Sequence, residues 1–542
     1  MKKKKYLILP AISALFMAVS CVGDLNTLPL NETDYTSEVA YGTEEANYLS
    51  GLAKLYLCFT NSDASNLAVD DGGASELIRA FWNLQECSTD EAKSSWESDS
   101  WVKDINQLTW SSADNTATYA VYVRTLQGIT YINEFLRQTT DSKLGDRGCS
   151  GELINKVHEM RAEARFIRAY LYWMSMDVFG NIPFVTEDSE FGAVNPEQKD
   201  REYVFHFIVD ELKALAESDD MPDARSNQPR ADKGSVLGLL ARLYLNAEVY
   251  TGTVMWSEAK EICEDIFQMG YGLCSNYADL FRGDNGENSE ALQEMLFSIY
   301  YDHESSTSWG GTMFLTVAAI QSSDEPKSAY LLGSTQHWAG IRVPYEFALK
   351  YFNVSSPNYT NGTYSVADDR GKLFFIKGRT QEMTDMTDFT HGWSLFKYSN
   401  IPHDMTATSF YSNASYFVDT DMPMIRLAEI YLIYAEACLN LGSVSTALPY
   451  INALRTRSNA SPVGTVDITS DWLLAERGRE LLWECHRRTD LIRFDKFTSS
   501  NYLWKWKGGT YDGQGVSDHL KIFALPSSEL ASNSNLTQNP GY

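Results

Sequence analysis

Three long apolar stripes at helical spacing limit what this chain can fold into. Met160, Ala164, Ile167, Leu171, Met174 and Val178 recur every three or four positions and are followed by Gly180 and Pro183. Val236, Leu240, Leu243, Ala247 and Tyr250 make a second stripe, and Leu427, Tyr431, Tyr434, Cys438 and Leu441 a third, closed by Gly442. That period places one face of each helix in a core, and a Gly or Pro just past the last apolar position ends it. Residues 444–457 and 471–494 read as further helices, the second carrying the charged run Arg477, Arg479, Glu480, Glu484, Arg487, Arg488 and Asp490. Alanines fill the seams in Arg242–Ala247 and Ala428–Ala437, where small side chains let neighbouring helices approach. The expected fold is mostly α: a helical-repeat scaffold with tetratricopeptide-like packing, its repeat of about 34 residues degenerate.

Residues 275–420 break this pattern. They are rich in Gly, Ser, Thr, Asn and aromatics, with few long periodic runs. Long irregular loops on a rigid scaffold are expected there, and binding usually sits on such loops. Three tryptophans lie in unusually polar, small-residue settings: Trp96 in Ser94–Asp99, Trp309 in Ser308–Thr312 and Trp338 in Ser334–Gly340. A core Trp has apolar neighbours at strand or helix spacing, and these do not. They read either as exposed aromatic platforms or as loop residues tucked back into the core.

The N-terminus is an export signal. Lys2 to Lys5 are basic, Tyr6 to Val19 form an apolar run of 14 residues, and Ala18-Val19-Ser20 precede Cys21. The run is shorter than the roughly 20 residues that span a bilayer, which makes it a signal peptide over 1–20. A Cys directly after the small residues points to lipidation at Cys21. The remaining layout is a polar linker over 21–45 and a single domain over 46–542.

With 72 Asp and Glu against 45 Lys and Arg, the net charge of −27 argues against nucleic acid, because phosphate binding needs Lys and Arg. Aromatics make up 13% of the chain. An acidic, aromatic-rich exported protein suits sugars, whose C–H faces stack on indole while carboxylates and amides take the hydroxyls. The seven cysteines after Cys21 are widely spaced, without a CxxC, and suggest neither a disulfide framework nor a zinc site. Cys438 and Cys485 fall inside helical patterns. No GxSxG, HExxH or phosphate-cradling Gly-rich loop is present. Asp70-Asp71, Asp284–Glu287 and Asp419–Asp421 are oxygen-rich turns that suit calcium as well as plain solvation.

Towards the C-terminus the residues take on a family likeness. Ile425–Ala437, Glu476–Arg493 and the ending Leu525–Glu529 with Gln538–Tyr542 resemble the signature of the SusD/RagB family, surface glycan-binding lipoproteins of Bacteroidetes. Arg161–Ala169, Phe179–Pro183 and Arg230–Lys233 extend the resemblance over nearly the whole mature chain. Arg242–Gly252, Gln293-Glu294 and Tyr502–Gly509 are most similar to a starch-binding member. The resemblance implies non-catalytic binding of an α-glucan oligosaccharide for a SusC-like TonB-dependent transporter, with a lipid anchor in the outer membrane and the protein facing the cell surface. Trp96, Trp309 and Trp338 would be the stacking arc, with Arg79, Asp71 and Asp99 as polar contacts. No cofactor is required, and Asp284, Asp419 and Asp421 would be the ligands of a structural calcium. Trp309 stands where that starch binder has Tyr, and Asp99 replaces an amide with an acceptor only. A lid for dextran or fructan, a surface glycoside hydrolase and a peptide-binding helical adaptor stay open as alternatives.

Overall fold

A computed structural model describes residues 40–62, 72–189, 195–321, 332–353, 355–358 and 363–542. The segment expected to be a signal peptide, Cys21 and Asp71 lie outside the described residues. Among the described residues nine helices carry the scaffold: α1 (Glu45–Tyr56), α2 (Thr116–Gln138), α3 (Gly151–Phe179), α4 (Arg201–Glu217), α5 (Lys233–Leu245), α6 (Trp256–Phe267), α7 (Leu427–Asn440), α8 (Leu448–Arg457) and α9 (Ser470–Glu480). From α2 to α7 each helix packs on the next along the chain; α7 then meets both α8 and α9, and α1 lies on α3. Such sequential stacking is how a helical repeat buries its core.

Local sequence sets where these helices begin and end. The Asn115, Ser150 and Asp200 side chains accept backbone N–H bonds at the starts of α2, α3 and α4, and Asp232 with Ser235 forms a capping box on α5. The positive φ of Gly180 follows α3, and that of Gly442 closes the turn after α7. The seams are tight. A Cβ at Gly128 on α2 would lie 2.6 Å from Leu171 Cδ1 on α3, closer than packed carbons allow. One core cluster then runs from Tyr48 to Leu525. Tyr41, assigned to the linker by composition, packs on Tyr48 and Phe135 with ring centroids 5.3 and 6.3 Å apart.

The expected helix over 471–494 is two. α9 stops at Glu480, a turn follows in which Trp483 and Cys485 take left-handed backbone angles, and a short helix resumes over Arg487–Arg493. Cys485 is therefore a buried turn residue, whereas Cys438 sits inside α7; all seven described cysteines are free thiols. Most of the charged run is buried. Arg426 bonds Glu294, Glu480 and Glu484, Arg370 bonds Asp368, Glu476 and Glu480, and Arg487 holds Asp90, all inside the core. Burial alone would raise the Glu480 carboxyl, but Arg457, Arg426 and Arg370 hold it well below the usual range. Desolvating such groups is costly, so each is stable only while its partners stay in place.

The loop-rich stretch expected over 275–420 carries only short elements, among them helices Ser289–Glu294, Gly311–Val317 and Tyr345–Phe352. Strand Met295–Ile299 pairs antiparallel with Met422–Arg426, which closes the stretch near its two ends. The C-terminal tail returns to the end of α3: Phe523 N–H donates to Val178 O at 2.8 Å, and Asn539 Nδ2 donates to Phe179 O at 2.7 Å. Phe523 also stacks on Trp110, centroids 4.4 Å apart. No helix among the described residues is long and apolar enough to cross a membrane.

Candidate functional site

Trp96 is placed by a small clamp. Lys93-Ser94 pairs antiparallel with Ile341-Arg342, and Ser95 N–H donates to Gly340 O at 2.6 Å. Buried Asn106 holds the same segment, its Nδ2 donating to Ser94 O at 2.8 Å and to Glu97 Oε1 at 3.0 Å. Gly340 is required at that point because a Cβ there would overlap the Trp96 indole. Trp338 is hung from helix Gly311–Val317: its N–H donates to Val317 O at 2.9 Å, and Gly340 N–H donates to Ala318 O at 2.8 Å.

Trp309 depends on Glu76. This carboxylate, fully buried, accepts from Tyr301 Oη at 2.6 Å, Arg79 N–H at 2.6 Å and Gly311 N–H at 3.1 Å. It joins the loop that carries Trp309 to the helix that carries Arg79 (Leu77–Trp82). Burial pushes its carboxyl up to about 7 although all three hydrogen bonds oppose the rise.

These elements bring five of the six residues named for glycan binding to one cavity. Arg79, Trp96, Asp99, Trp309 and Trp338 line an open space of about 610 Å³, together with Ala74, Ser100, Trp101, Val102 and Thr116. That volume falls within the range of about 300–1,000 Å³ usual for small-molecule sites. The sixth residue, Asp71, is not described.

The aromatic groups form a continuous path. Trp309 and Trp338 lie nearly parallel, 16° apart with centroids at 6.2 Å. The Arg79 guanidinium sits 5.9 Å from the Trp338 ring and 4.3 Å from Phe314, and Phe314 in turn lies 6.2 Å from Trp96. Trp309 is 40% exposed and rests edge-on against Tyr416 and Phe417 at 5.3 and 5.2 Å. Flat apolar faces braced by buried rings and ended by an exposed carboxylate suit a ligand with both C–H faces and hydroxyls. Asp99 is exposed at the start of helix Ser100–Gln107, and its side chain makes no capping bond there. It is the only carboxylate among the described residues lining the cavity.

Sequence reasoning missed Trp101, Phe314, Tyr416 and Phe417. Trp101 had a signal, since it repeats Trp96 five positions later in the same polar stretch. Phe314 had none, because its neighbours mark it as an ordinary core residue.

The calcium trio does not converge. Asp284 pairs with His403, and Asp419 accepts from His303 N–H at 2.9 Å while its Oδ1 also lies 2.6 Å from His303 Nδ1. Asp421 is buried, accepts from Tyr301 N–H at 3.0 Å, and leaves Oδ2 without a hydrogen bond; burial raises it to about 7. Among the described residues only Asp302, His303 and Asp419 bring three ligand atoms within 4.8 Å of one another. This set holds Asp419 of the three aspartates named for calcium and leaves out Asp284 and Asp421.

A profile of the SusD family matches residues 269–542, and one described as starch-binding associating with outer membrane matches residues 72–245. The chain is 32% identical to the starch-binding protein SusD of Bacteroides thetaiotaomicron, over 100% of both chains. It is 26% identical to SusD-like protein P25 of Formosa agariphila, over 62% of this chain and 64% of that one. A solved SusD-like protein from Bacteroides fragilis superposes with a TM-score of 0.68 at 18% identity, covering 95% of this chain and 100% of that one. Surface glycan-binding protein A from Bacteroides thetaiotaomicron, in complex with laminarihexaose, gives 0.67 at 17% identity over 91% and 99%. The stacked helices predicted from the three stripes are thus those of a known fold, and this chain belongs to the SusD family.

Proposed function

We propose that this protein is a non-catalytic carbohydrate-binding protein whose tryptophan cavity takes an α-glucan chain and passes it to a SusC-like TonB-dependent transporter. The observation that carries the reading is the convergence of Trp96, Trp309, Trp338, Arg79 and Asp99 on one open cavity. The near-parallel indoles of Trp309 and Trp338 offer stacking planes to sugar faces, while Arg79 and Asp99 supply a donor and an acceptor for hydroxyls. Full-length similarity to a starch-binding protein supports the choice of α-glucan. A glycosidase flanks the scissile bond with two carboxyl groups, and Asp99 alone lines this cavity among the described residues, which supports binding without turnover.

The sequence around Cys21 supports a lipid anchor, and the match to a family described as associating with the outer membrane supports that membrane as its place. A few solvent-exposed stacking contacts give about −4 to −6 kcal/mol, roughly 0.1–1 mM. Isothermal titration with maltoheptaose, α-cyclodextrin, dextran, levan and laminarihexaose tests the reading. Failure to bind any α-glucan sinks the substrate assignment, and reducing ends released from glucan would overturn the non-catalytic one.

A further inference from the structure

A second cleft opens on the other side of Trp309. It measures about 520 Å³, and its lining includes Lys54, Arg124, Gln127, Tyr131 and Thr307 along with Trp309 itself. Trp309 and the turn Gly73–Ser75 divide the two spaces. Ala74 lines the first, and a Cβ on Gly73 would lie 2.6 Å from the backbone Trp309 O and 3.0 Å from Trp309 Cβ, so the turn is in close contact with the base of that residue. Arg124 props this partition from the second side, its Nε donating to Ser75 O at 3.0 Å and Nη2 to Ser75 Oγ at 3.2 Å.

Three polar side chains of the second cleft, Lys54, Gln127 and Thr307, are not used up by the fold among the described residues. The Lys54 ammonium lies 4.4 Å from the centre of the Tyr131 ring and makes no ion pair or hydrogen bond among the described residues. The Gln127 amide and the Thr307 hydroxyl likewise make no side-chain hydrogen bond among them. An ammonium, an amide and a hydroxyl beside two aromatic rings match a sugar's alternation of hydroxyls and apolar faces. No carboxylate of the described residues lines this cleft, in a chain of net charge −27.

We infer that the second cleft is a further saccharide subsite, and that one glycan chain can cross Trp309 to occupy both spaces. This rests on the reading that the first cavity takes a saccharide. Joining two weak subsites through one ligand raises affinity without any new contact in the first.

Calorimetry with maltotriose and maltoheptaose on the full chain tests it, using wild type, Lys54→Ala and Gln127→Ala. Lys54 is exposed and Gln127 half-buried, and thermal melts check that both variants stay folded. Maltoheptaose should bind the wild type about tenfold tighter than maltotriose. Each variant should lose about two- to tenfold for maltoheptaose, one hydrogen bond's worth, and nothing for maltotriose. Equal affinity for the two sugars, or a length gain that survives both substitutions, overturns the second subsite alone. No binding of either sugar by the wild type overturns the α-glucan reading and this subsite with it.

Discussion

Replacing Glu76 with Gln would test how the Trp309 loop is held. One carboxylate oxygen accepts from Arg79 N–H and Gly311 N–H, and the other accepts from Tyr301 Oη. In Gln the carbonyl oxygen can keep both backbone donors, while the new NH₂ donates to the Tyr301 hydroxyl, which can accept. The loop should therefore stay in place, and only the titration should vanish. In the wild type, burial lifts this carboxyl from 4.5 to about 7. A folded pKa above the unfolded one means that the folded state holds the proton more tightly. The corresponding stability is full below pH 4.5 and is lost as pH rises through about 7. The shift is worth about 3 kcal/mol, at 1.36 kcal/mol per unit, for a group with no solvent around it. Urea denaturation of both proteins from pH 4.5 to 8 is the assay. The stability of Glu76→Gln minus that of wild type should rise by about 3 kcal/mol across the window. Taking the difference cancels other raised carboxyls, such as Asp421 and Glu86. Two parallel profiles would refute the reasoning.

Other predictions follow from the same geometry. Gly340→Ala should push the Trp96 indole aside, cost about 1–3 kcal/mol in a thermal melt and weaken glucan binding in calorimetry. Trp338→Ala removes one of two parallel stacking planes and should weaken maltoheptaose about fivefold, roughly 1 kcal/mol, while a thermal melt also falls because the ring packs on Met313 and Val317. Glu480→Gln removes the charge shared by Arg370, Arg426 and Arg457. It should destabilise by about 3–5 kcal/mol in urea, and a loss below 1 kcal/mol would show that the network is not held by charge.

Much of the scaffold was legible because its signals are local. The α3 stripe ends at Gly180, and the α7 stripe at Gly442, in both cases within a residue or two of the observed end. The three tryptophans stood out because their polar neighbours are unusual for a core Trp, and the structure brings all three to one cavity. What stayed hidden depends on distant partners. The run Arg477–Asp490 reads only as part of a charged helix, and nothing in it shows that Arg487 will be buried against Asp90 and Glu91 from nearly four hundred residues earlier. Nothing local marks Trp483 and Cys485 as left-handed. The three aspartates of the calcium expectation looked equivalent in sequence. His303 and His403 pair with two of them while the third is buried against Tyr301 N–H, and those partners lie far along the chain from the aspartates they meet.

The tail that returns to α3 changes how this stack of helices can come apart. An open helical solenoid can fray repeat by repeat from either end, since each unit touches only its neighbours. Here Phe523, Asn539 and Trp110 tie the last residues of the chain to the end of α3, well inside the stack. Loosening the far end therefore also strips the support of a central helix. The molecule should lose its structure as one cooperative unit, and glycan captured at Trp309 would sit on a frame with no free end.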